Sequence, residues 1–451
     1  MMDASPVFGR RSTTQPFDGS IGSGKIQAGV RQKDVDLIRA LCLSKIDASV
    51  IASLSQSRLL HTVEVLLAEL ATEHRIQFNG REQRQIAAEL VDDMLGLGPL
   101  EPLLEDDTIT DIMVNGPEKV FAERSGKLDQ LQVRFRDSAH LANICQRIAA
   151  SVGRRVDESS PMVDARLKDG SRVNIVLPPL ALDGPCLSIR KFAKKPISFA
   201  RLIEYGSLTP PIARILEIAA RCRLNVVISG GTGSGKTTLM NAMSSFIDPA
   251  ERVVTVEDAA ELQLQQPHVV RLETRPLNLE GKGEINQRDL LRNALRMRPD
   301  RIIIGEVRGP EAFDMLQAMN TGHDGSMSTI HANNTRDALA RIENMVQMAS
   351  MGLSLRAIRM QVVSAVNLIV QVERQRDGGR RVVQLTEMSG IEGETPLLND
   401  IFKYEMQGED ATGRLLGRYI VSRMRSSFHE RLTYFGLLRS WSAALEEACG
   451  A

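Results

Sequence analysis

One run of glycines and hydroxyl residues has the composition and spacing of a phosphate-binding loop. Residues 230–238 read GGTGSGKTT, which fits the pattern G-x-x-x-x-G-K-S/T, and an apolar run from Asn225 to Ile228 precedes them. Glycines let successive backbone N–H groups face one concavity, toward which the following helix points its positive N-terminal end. The predicted phosphate-binding residues are Gly230, Gly231, Thr232, Gly233, Ser234, Gly235, Lys236, Thr237 and Thr238.

Two side chains of this loop have predicted tasks. Lys236 is expected to reach the β- and γ-phosphates of a nucleotide, and Thr237 to offer its hydroxyl to Mg²⁺. The alternative is a glycine-rich turn that binds no ligand, but the full pattern between a strand and a helix disfavours it.

Carboxylates follow two other apolar runs. Glu257 and Asp258 come after the strand predicted over 253–256, and Glu306 ends the strand predicted over 301–305. Open α/β sheets bind ligands at the carboxyl ends of their strands. Glu257 and Asp258 are therefore candidates for holding Mg²⁺ or its waters, although Asp258 would equally suit a helix N-cap. A carboxylate placed like Glu306 can orient or deprotonate the water that attacks a γ-phosphate.

Histidines and arginines complete the candidate site. His323 and His331 flank another predicted strand, where they could sense a phosphate or simply pack, and no cysteines accompany them to suggest zinc. Arg166, Arg172 and Arg190 lie on or beside the strands of a predicted hairpin with its turn at 168–171. Solvated charges on a polar strand face remain an equal explanation for these arginines.

The pattern of apolar residues divides the chain into four predicted parts. Residues 1–30 lack a core-forming pattern and are expected to be a disordered arm, and residues 31–94 show helical spacing typical of a three-helix bundle. Residues 95–199 are read as an α+β domain, with a linker near 194–205. Residues 200–451 alternate strands with helices, which predicts a mostly parallel sheet with a C-terminal helical segment.

Composition excludes several classes of function. Lys+Arg and Asp+Glu are both 56 and aromatic residues make up 4%, so nothing in the composition calls for nucleic acid or an anionic membrane, although a balanced net charge still allows a local basic patch. The five cysteines form no C-x-x-C pair, which is typical of reducing cytoplasm. No apolar run approaches the roughly 20 residues that span a bilayer. Membrane contact is therefore expected only through partners.

Four motifs together resemble a known family. GGTGSGKTT, TVEDAAEL, PDRIIIGEVRG and TGHDGSMSTIHANN are similar, in this order, to the Walker A, Asp box, Walker B and His box of type II/IV secretion ATPases. The longer strings HVVRLETRPLN, EINQRDLLRNALRMRPDR and SRVNIVLPPLALDGPCLSIRKF resemble the CpaF-type ATPases of tight-adherence (Tad) pili. The likeness runs from about residue 92 to 437, and the absence of a tetracysteine motif fits that branch.

The resemblance implies a multidomain α/β protein and a mechanism. It implies a homohexamer of subunits in which a PAS-like domain is joined flexibly to a RecA-like P-loop domain, with ATP and Mg²⁺ bound in the cleft between them. Glu306 would be the catalytic glutamate, and Glu257 with Asp258 would belong to the metal and water site. His323 and His331 would sense the γ-phosphate. The candidate arginine fingers are Arg166, Arg172 and Arg190.

The function implied is a cytoplasmic motor that drives pilus assembly, with retraction as a further option, through inner-membrane platform proteins. An ATPase of type IV secretion or conjugation is the nearest alternative, since it would share almost every catalytic residue. A nucleic-acid motor would need the missing basic or aromatic stripe, and a nucleotide-gated scaffold without turnover is disfavoured by the intact Glu306.

Overall fold

In the computed structural model the described chain divides between residues 106 and 107 into two compact units. The described residues are 32–46, 56–124, 126–167, 169–192, 196–277, 282–349, 352–411, 413–422 and 424–450. The predicted arm over 1–30 lies outside them. None of the helices within these ranges is both long and apolar enough to cross a membrane.

The first unit is helical. Its helices share a buried apolar core that includes Val35, Leu67 and Leu90. Asn79 caps the third helix with a reciprocal capping box, in which its side chain accepts from the Glu82 N–H and the Glu82 carboxylate accepts from the Asn79 N–H. The elements are α1 (Gln32–Lys45), α2 (Gln56–Glu73), α3 (Gly80–Leu95), a 3₁₀ turn (Gly98–Leu100) and α4 (Glu101–Glu105).

The second unit begins with an antiparallel six-stranded sheet, here called the first sheet. Its strand order is β3-β2-β1-β6-β5-β4. The predicted hairpin around 168–171 is confirmed, since β4 and β5 pair antiparallel. The elements are β1 (Ile109–Asn115), β2 (Val120–Arg124), β3 (Lys127–Leu131), α5 (Ser138–Ser151), β4 (Met162–Arg166), β5 (Arg172–Val176) and β6 (Cys186–Arg190).

A nine-stranded second sheet follows, in the order β15-β14-β13-β12-β7-β11-β10-β8-β9. Strands from β12 to β9 in that order run parallel, whereas β13, β14 and β15 add an antiparallel meander at one side. The strands are β7 (Val226–Gly230), β8 (Val253–Glu257), β9 (Val269–Glu273), β10 (Arg301–Val307), β11 (Met327–Ile330), β12 (Leu368–Arg374), β13 (Arg380–Glu392), β14 (Thr395–Glu409) and β15 (Leu415–Val421).

Helices accompany the second sheet throughout. One of them corrects a prediction: residues 199–204, assigned to the linker, form a short helix because Ser198 caps it and Phe199 and Leu202 are buried. The helices are α6 (Phe199–Glu204), α7 (Pro210–Arg221), α8 (Lys236–Ser244), α9 (Gln287–Ala294), α10 (Glu311–Asn320), α11 (Thr335–Met348), α12 (Leu355–Ala365), α13 (His429–Tyr434) and α14 (Leu438–Gly450).

Apolar cores cover both faces of the parallel strands. Val226 and Ile228 of β7 belong to one core and Val227 to the other, because successive strand residues point to opposite faces. A strand buried on both faces reads as a continuous apolar run, which is why the parallel strands were recognisable in the sequence.

The amino-terminal edge of these strands is held by buried polar groups. The Asn225 side chain accepts from the N–H groups of Gly325 (2.9 Å) and Ser326 (3.1 Å) and donates to the carbonyls of Met319 (3.3 Å) and Ala365 (2.7 Å). One side chain therefore joins the starts of β7 and β11 to the ends of α10 and α12.

Candidate functional site

The P-loop joins β7 to α8 and depends on glycine for its shape. Gly233 and Gly235 have φ values of +67° and +101°, a region that favours glycine. A Cβ atom on Gly230 would lie 2.3 Å from the Val372 carbonyl oxygen, so a side chain there is excluded. Thr237 and Thr238 follow, half-buried, in the first turn of α8. The loop is thus positioned by its own backbone and by β12 beside it.

Lys236 is folded back onto the loop. Its Nζ donates to the carbonyls of Gly230 (2.9 Å) and Gly231 (3.0 Å) and lies 3.4 Å from Nε2 of His331. The side chain is only 8% exposed, and burial lowers the pKa of its ammonium, an effect that nearby Glu306 opposes. A buried ammonium whose hydrogen bonds go to two neutral carbonyls can leave them to bind an anionic phosphate.

Glu306 lies near the end of β10, between His331 and Arg308. Its Oε1 lies 2.7 Å from His331 Nε2, an ion-pair distance without the alignment of a hydrogen bond. Its Oε2 accepts from Arg308 Nη2 at 2.6 Å. Burial acts to raise the pKa of this carboxyl, but Arg308, His331 and Lys236 outweigh it and hold the pKa below its ordinary value. Glu306 is therefore ionised at neutral pH and able to accept a proton.

Arg308 was missed by the sequence reasoning. Besides Glu306 it faces Asp258, with 4.0 Å between Nη1 and Oδ2. The available signal was a cation two residues after the candidate base, at the same end of a buried strand. Arg308 thus holds one carboxylate oxygen of Glu306 and extends toward the acidic pair Glu257 and Asp258.

Glu257 is buried at the end of β8, which lies beside β10 in the second sheet. Its Oε2 accepts from the N–H groups of Glu261 (2.7 Å) and Leu262 (2.8 Å), whereas its buried Oε1 has no hydrogen-bond partner in the part of the chain that the structure describes. Burial raises the pKa of the carboxyl to about 7. An unpartnered buried carboxylate oxygen fits the predicted metal or water site.

Asp258 lies beside Glu257 but is more exposed. No helix begins after β8 within residues 259–277, so the alternative of a helix N-cap by Asp258 is wrong. Its side chain is 45% exposed and points to the neighbourhood of Arg308. Asp258 is therefore free of a capping duty.

The two candidate histidines lie at opposite edges of the second sheet. β11 runs parallel to β7, so His331, directly after β11, lies at the P-loop edge. His323 precedes β11, and its Nδ1 lies 3.2 Å from the Ala318 carbonyl. The structure brings His331 to Lys236 and Glu306 and does not bring His323 there.

The three candidate arginines form a row across the first sheet. Arg166 on β4 is in register with Arg172 on β5, which is in register with Arg190 on β6. Like charges directly opposite repel one another, and each arginine is paired with a carboxylate. The pairs are Arg166 with Glu273 (2.9 Å), Arg172 with Glu261 (2.8 Å) and Arg190 with Asp111 (3.1 Å).

These arginines line a cavity of about 640 Å³ between the two sheets, together with Asp258 and Arg308. Glu273, which ends β9 and lines the cavity, pairs with Arg166, and Glu261, in the loop after β8, pairs with Arg172. The explanation as purely solvated charges is therefore incomplete, because two of the arginines pair with carboxylates that end or follow strands of the second sheet. None of the three pairs directly with a P-loop residue among the contacts described above.

Comparisons with known proteins place these features in one family. The family model described as "Type II/IV secretion system protein" matches residues 93–393. A putative conjugal transfer protein of Mycobacterium tuberculosis is 41% identical over 307 residues, which cover 67% of this chain and 87% of that protein. The conjugal transfer protein TrbB of Rhizobium radiobacter is 35% identical over 64% of this chain and 86% of its own.

One solved structure adds to these relatives. The crystal structure of the VirB11 ATPase from the Brucella suis type IV secretion system, in complex with sulphate, is 30% identical. The match covers 66% of this chain and 97% of that chain, with a TM-score of 0.35.

Proposed function

The chain belongs to the type II/IV secretion system protein family and is an ATPase, and we propose on that premise that it is the motor of a type IV secretion or conjugation machine. The observation that carries the proposal is the contact of Lys236, His331 and Glu306 at one edge of the second sheet. The relatives named for conjugal transfer favour this reading, which was the alternative in the sequence analysis, over the Tad pilus.

Substrate binding follows from the P-loop. The γ- and β-phosphates of ATP would take the Lys236 ammonium from the Gly230 and Gly231 carbonyls, because a charge-assisted bond to phosphate is stronger than one to a neutral carbonyl. Thr237, Asp258 and Glu257 would hold Mg²⁺, which when bound supplies positive charge to the phosphate oxygens. The unpartnered Oε1 of Glu257 supports that assignment.

Hydrolysis is assigned to Glu306. Its carboxylate would orient a water and accept its proton as the water oxygen bonds to the γ-phosphorus and the bond to the bridging oxygen breaks, giving ADP and phosphate. Arg308 holds one carboxylate oxygen in place, and His331 lies between the base and Lys236, where the loss of the γ-phosphate would change its surroundings.

The arginine row would complete the site from the first sheet. In this proposal the first sheet belongs to a PAS-like domain and the second to a RecA-like domain, subunits form a homohexamer, and closure of the cavity brings one arginine to the nucleotide of the same or a neighbouring subunit. Arg172 is placed first, since it begins β5 directly after the hairpin turn. His323 would act only on the nucleotide of a neighbouring subunit, or it would serve in packing.

A Tad pilus motor is the second candidate. The strings HVVRLETRPLN and EINQRDLLRNALRMRPDR favour it, because they are more particular than the four shared boxes. In either machine the chain would act at the inner membrane on the cytoplasmic side through membrane partners, and nucleic acid would not be its substrate.

Two measurements test the proposal. Lys236→Ala should abolish binding of a fluorescent ATP analogue, whereas Glu306→Gln should bind it and lose phosphate release, because the amide keeps the shape and removes the base. Parental turnover in Glu306→Gln would move the base elsewhere, with Glu257 the next candidate. Affinity capture from membranes then separates the candidates: a secretion channel supports the first, and a polytopic platform with a pilin supports the second.

A further inference from the structure

Two arginines that the mechanism above does not use lie against the outer side of the P-loop. Arg374 ends β12, Arg380 begins β13, and the two residues are in register at the base of the hairpin. The Nε of Arg380 donates a hydrogen bond of 2.8 Å to the carbonyl of Gly233. The hairpin was predicted from the sequence around 377–379 and is confirmed, but its pattern gave it no chemical role.

This hydrogen bond sets the orientation of one peptide group in the loop. The C=O and N–H of a trans peptide point in opposite directions, so fixing the Gly233 carbonyl outward turns the N–H of Ser234 inward. That N–H lies 3.4 Å from the carbonyl of Gly231, which also accepts from Lys236. Gly233 has no side chain to restrict its backbone, so the peptide is held by Arg380 at its carbonyl and by the Gly231 carbonyl at its N–H.

The same hairpin also reaches the first sheet. Arg380 Nη2 lies 3.7 Å from Oε1 of Glu123 on β2, and Arg374 donates to the carbonyl of Gly126 in the turn after β2. One guanidinium therefore touches both a phosphate-binding peptide and the sheet that carries the arginine row. If the first sheet moves away, Arg380 loses Glu123 and Arg374 loses Gly126.

We propose that Arg380 is a positioning residue. Through its contact with Glu123, it makes the phosphate affinity of the P-loop depend on whether the first sheet lies against the β12–β13 hairpin. The proposal rests on the proposed function and adds a second link between the two sheets, within one subunit. Coupling of this kind is reciprocal, so a bound nucleotide also favours the position in which the β2–β3 hairpin contacts the β12–β13 hairpin.

The test is a titration of the full chain with a fluorescent ATP analogue, together with steady-state ATPase rates. Arg380→Ala is expected to weaken binding about tenfold, the effect of losing one charge-assisted hydrogen bond. KM should rise while kcat at saturation stays within about twofold, since the base and the finger are untouched. Arg376→Ala is the matched control, because Arg376 lies on the same hairpin but pairs with Glu409.

A double-mutant cycle tests the link to the first sheet. Glu123→Gln should weaken binding by a few-fold, and the Glu123→Gln/Arg380→Ala variant should bind as Arg380→Ala does, because Glu123 acts only through Arg380. Parental affinity in Arg380→Ala, or losses that multiply in the double variant, would overturn the proposal. Should Arg380→Ala fail to fold, parental affinity in Glu123→Gln would overturn it instead.

The Lys236→Ala variant distinguishes failure of this inference from failure of the proposed function on which it rests. Parental affinity in Lys236→Ala would refute the nucleotide site itself. Loss of binding in Lys236→Ala, with parental affinity in Arg380→Ala, would refute only the role of Arg380.

Discussion

The P-loop and the arginine row are held in place by different means. Lys236 is almost fully buried and satisfied by backbone carbonyls, and left-handed glycines fix the loop around it. The arginines of the row keep 30%, 40% and 55% of their side chains exposed, and each is paired with a carboxylate. Backbone geometry is set on folding, whereas partly exposed ion pairs are worth about 0–1 kcal/mol and exchange partners at little cost.

The comparison assigns different tasks to the two regions. A loop whose backbone is already shaped can bind phosphate by moving only the Lys236 side chain, which suits the substrate-binding step. Side chains held by weak, replaceable partners suit a step in which they leave those partners for a developing charge. The first sheet is therefore the mobile half of the proposed mechanism.

The largest effect should come from the row. Replacing the arginine that reaches the nucleotide by Ala should lower kcat by about 10³-fold and change nucleotide affinity little, because a finger acts mainly on the transition state. Stopped-flow phosphate release on each of Arg166→Ala, Arg172→Ala and Arg190→Ala measures this. Arg201→Ala, whose partner Glu204 lies on the same helix, is the control.

The row also permits a mixing test. An inactive Glu306→Gln subunit that keeps its arginines should restore some turnover to an arginine-deficient subunit if the arginine acts on a neighbour. Full activity in all three single variants would refute a shared site.

The next largest effect concerns the P-loop region, where Mg²⁺ affinity should depend on pH. Because burial raises the pKa of Glu257 to about 7, protons compete with Mg²⁺ below that pH. Apparent Mg²⁺ affinity in the presence of ADP should fall by up to about tenfold per pH unit below 7. Calorimetric titrations at pH 6 and pH 8 measure this difference, and Glu257→Gln should remove it. An unchanged difference in that variant would place the titrating ligand elsewhere.

The same group has an opposite signature in stability. The folded chain keeps the Glu257 proton up to about pH 7, whereas an unfolded chain releases it near the ordinary glutamate pKa of 4.5. Folding is therefore favoured by this group at low pH, and its contribution is lost as pH rises between those values. Comparing the unfolding midpoints of the parent and Glu257→Gln across pH 5 to 8 detects it.

A smaller effect is expected from releasing the arginines. Glu261→Gln and Glu273→Gln remove the charges that hold Arg172 and Arg166, so each should raise kcat by no more than about fivefold and leave the unfolding midpoint nearly unchanged. Glu204→Gln is a control on an exposed pair outside the cavity. A large fall in stability in either variant would show that these pairs are structural.

The smallest effect is predicted for residues 1–30. Deleting them should leave folding, assembly and ATPase rate nearly intact, because their sequence has no core-forming pattern and the motifs begin far downstream. Mass photometry and phosphate release on the shortened chain measure this. Loss of the assembled ring would give the arm a structural part and contradict the prediction.

The sequence was sufficient where the signal is local. The structure contains the P-loop, the strand ending at Glu257, the strand that carries Glu306 near its end, and the hairpins around 168–171 and 377–379. Each of these depends on neighbours along the chain. The position of His323 was also accessible in principle. It precedes a strand of a parallel sheet, and the start of such a strand lies away from the ligand edge.

Other features depend on contacts between distant parts of the chain. The carboxylate partners of Arg166 and Arg172 are about 90 to 110 residues away, and nothing in local spacing identifies them. The meander of β13, β14 and β15 was missed beyond its first turn, because strands at the side of a sheet mix exposed and buried residues without a continuous apolar run. The helix at 199–204 was missed because a Ser cap with only two buried side chains is a weak signal.

The hydrogen bonds of the buried Asn225 side chain bear on how easily the amino-terminal edge of the second sheet opens. Local opening of a protein is easiest where backbone groups face solvent and hardest where buried polar groups are fully satisfied. Amide protons of Gly325 and Ser326, which are donated to one buried side chain, should therefore exchange with deuterium among the slowest of the loops.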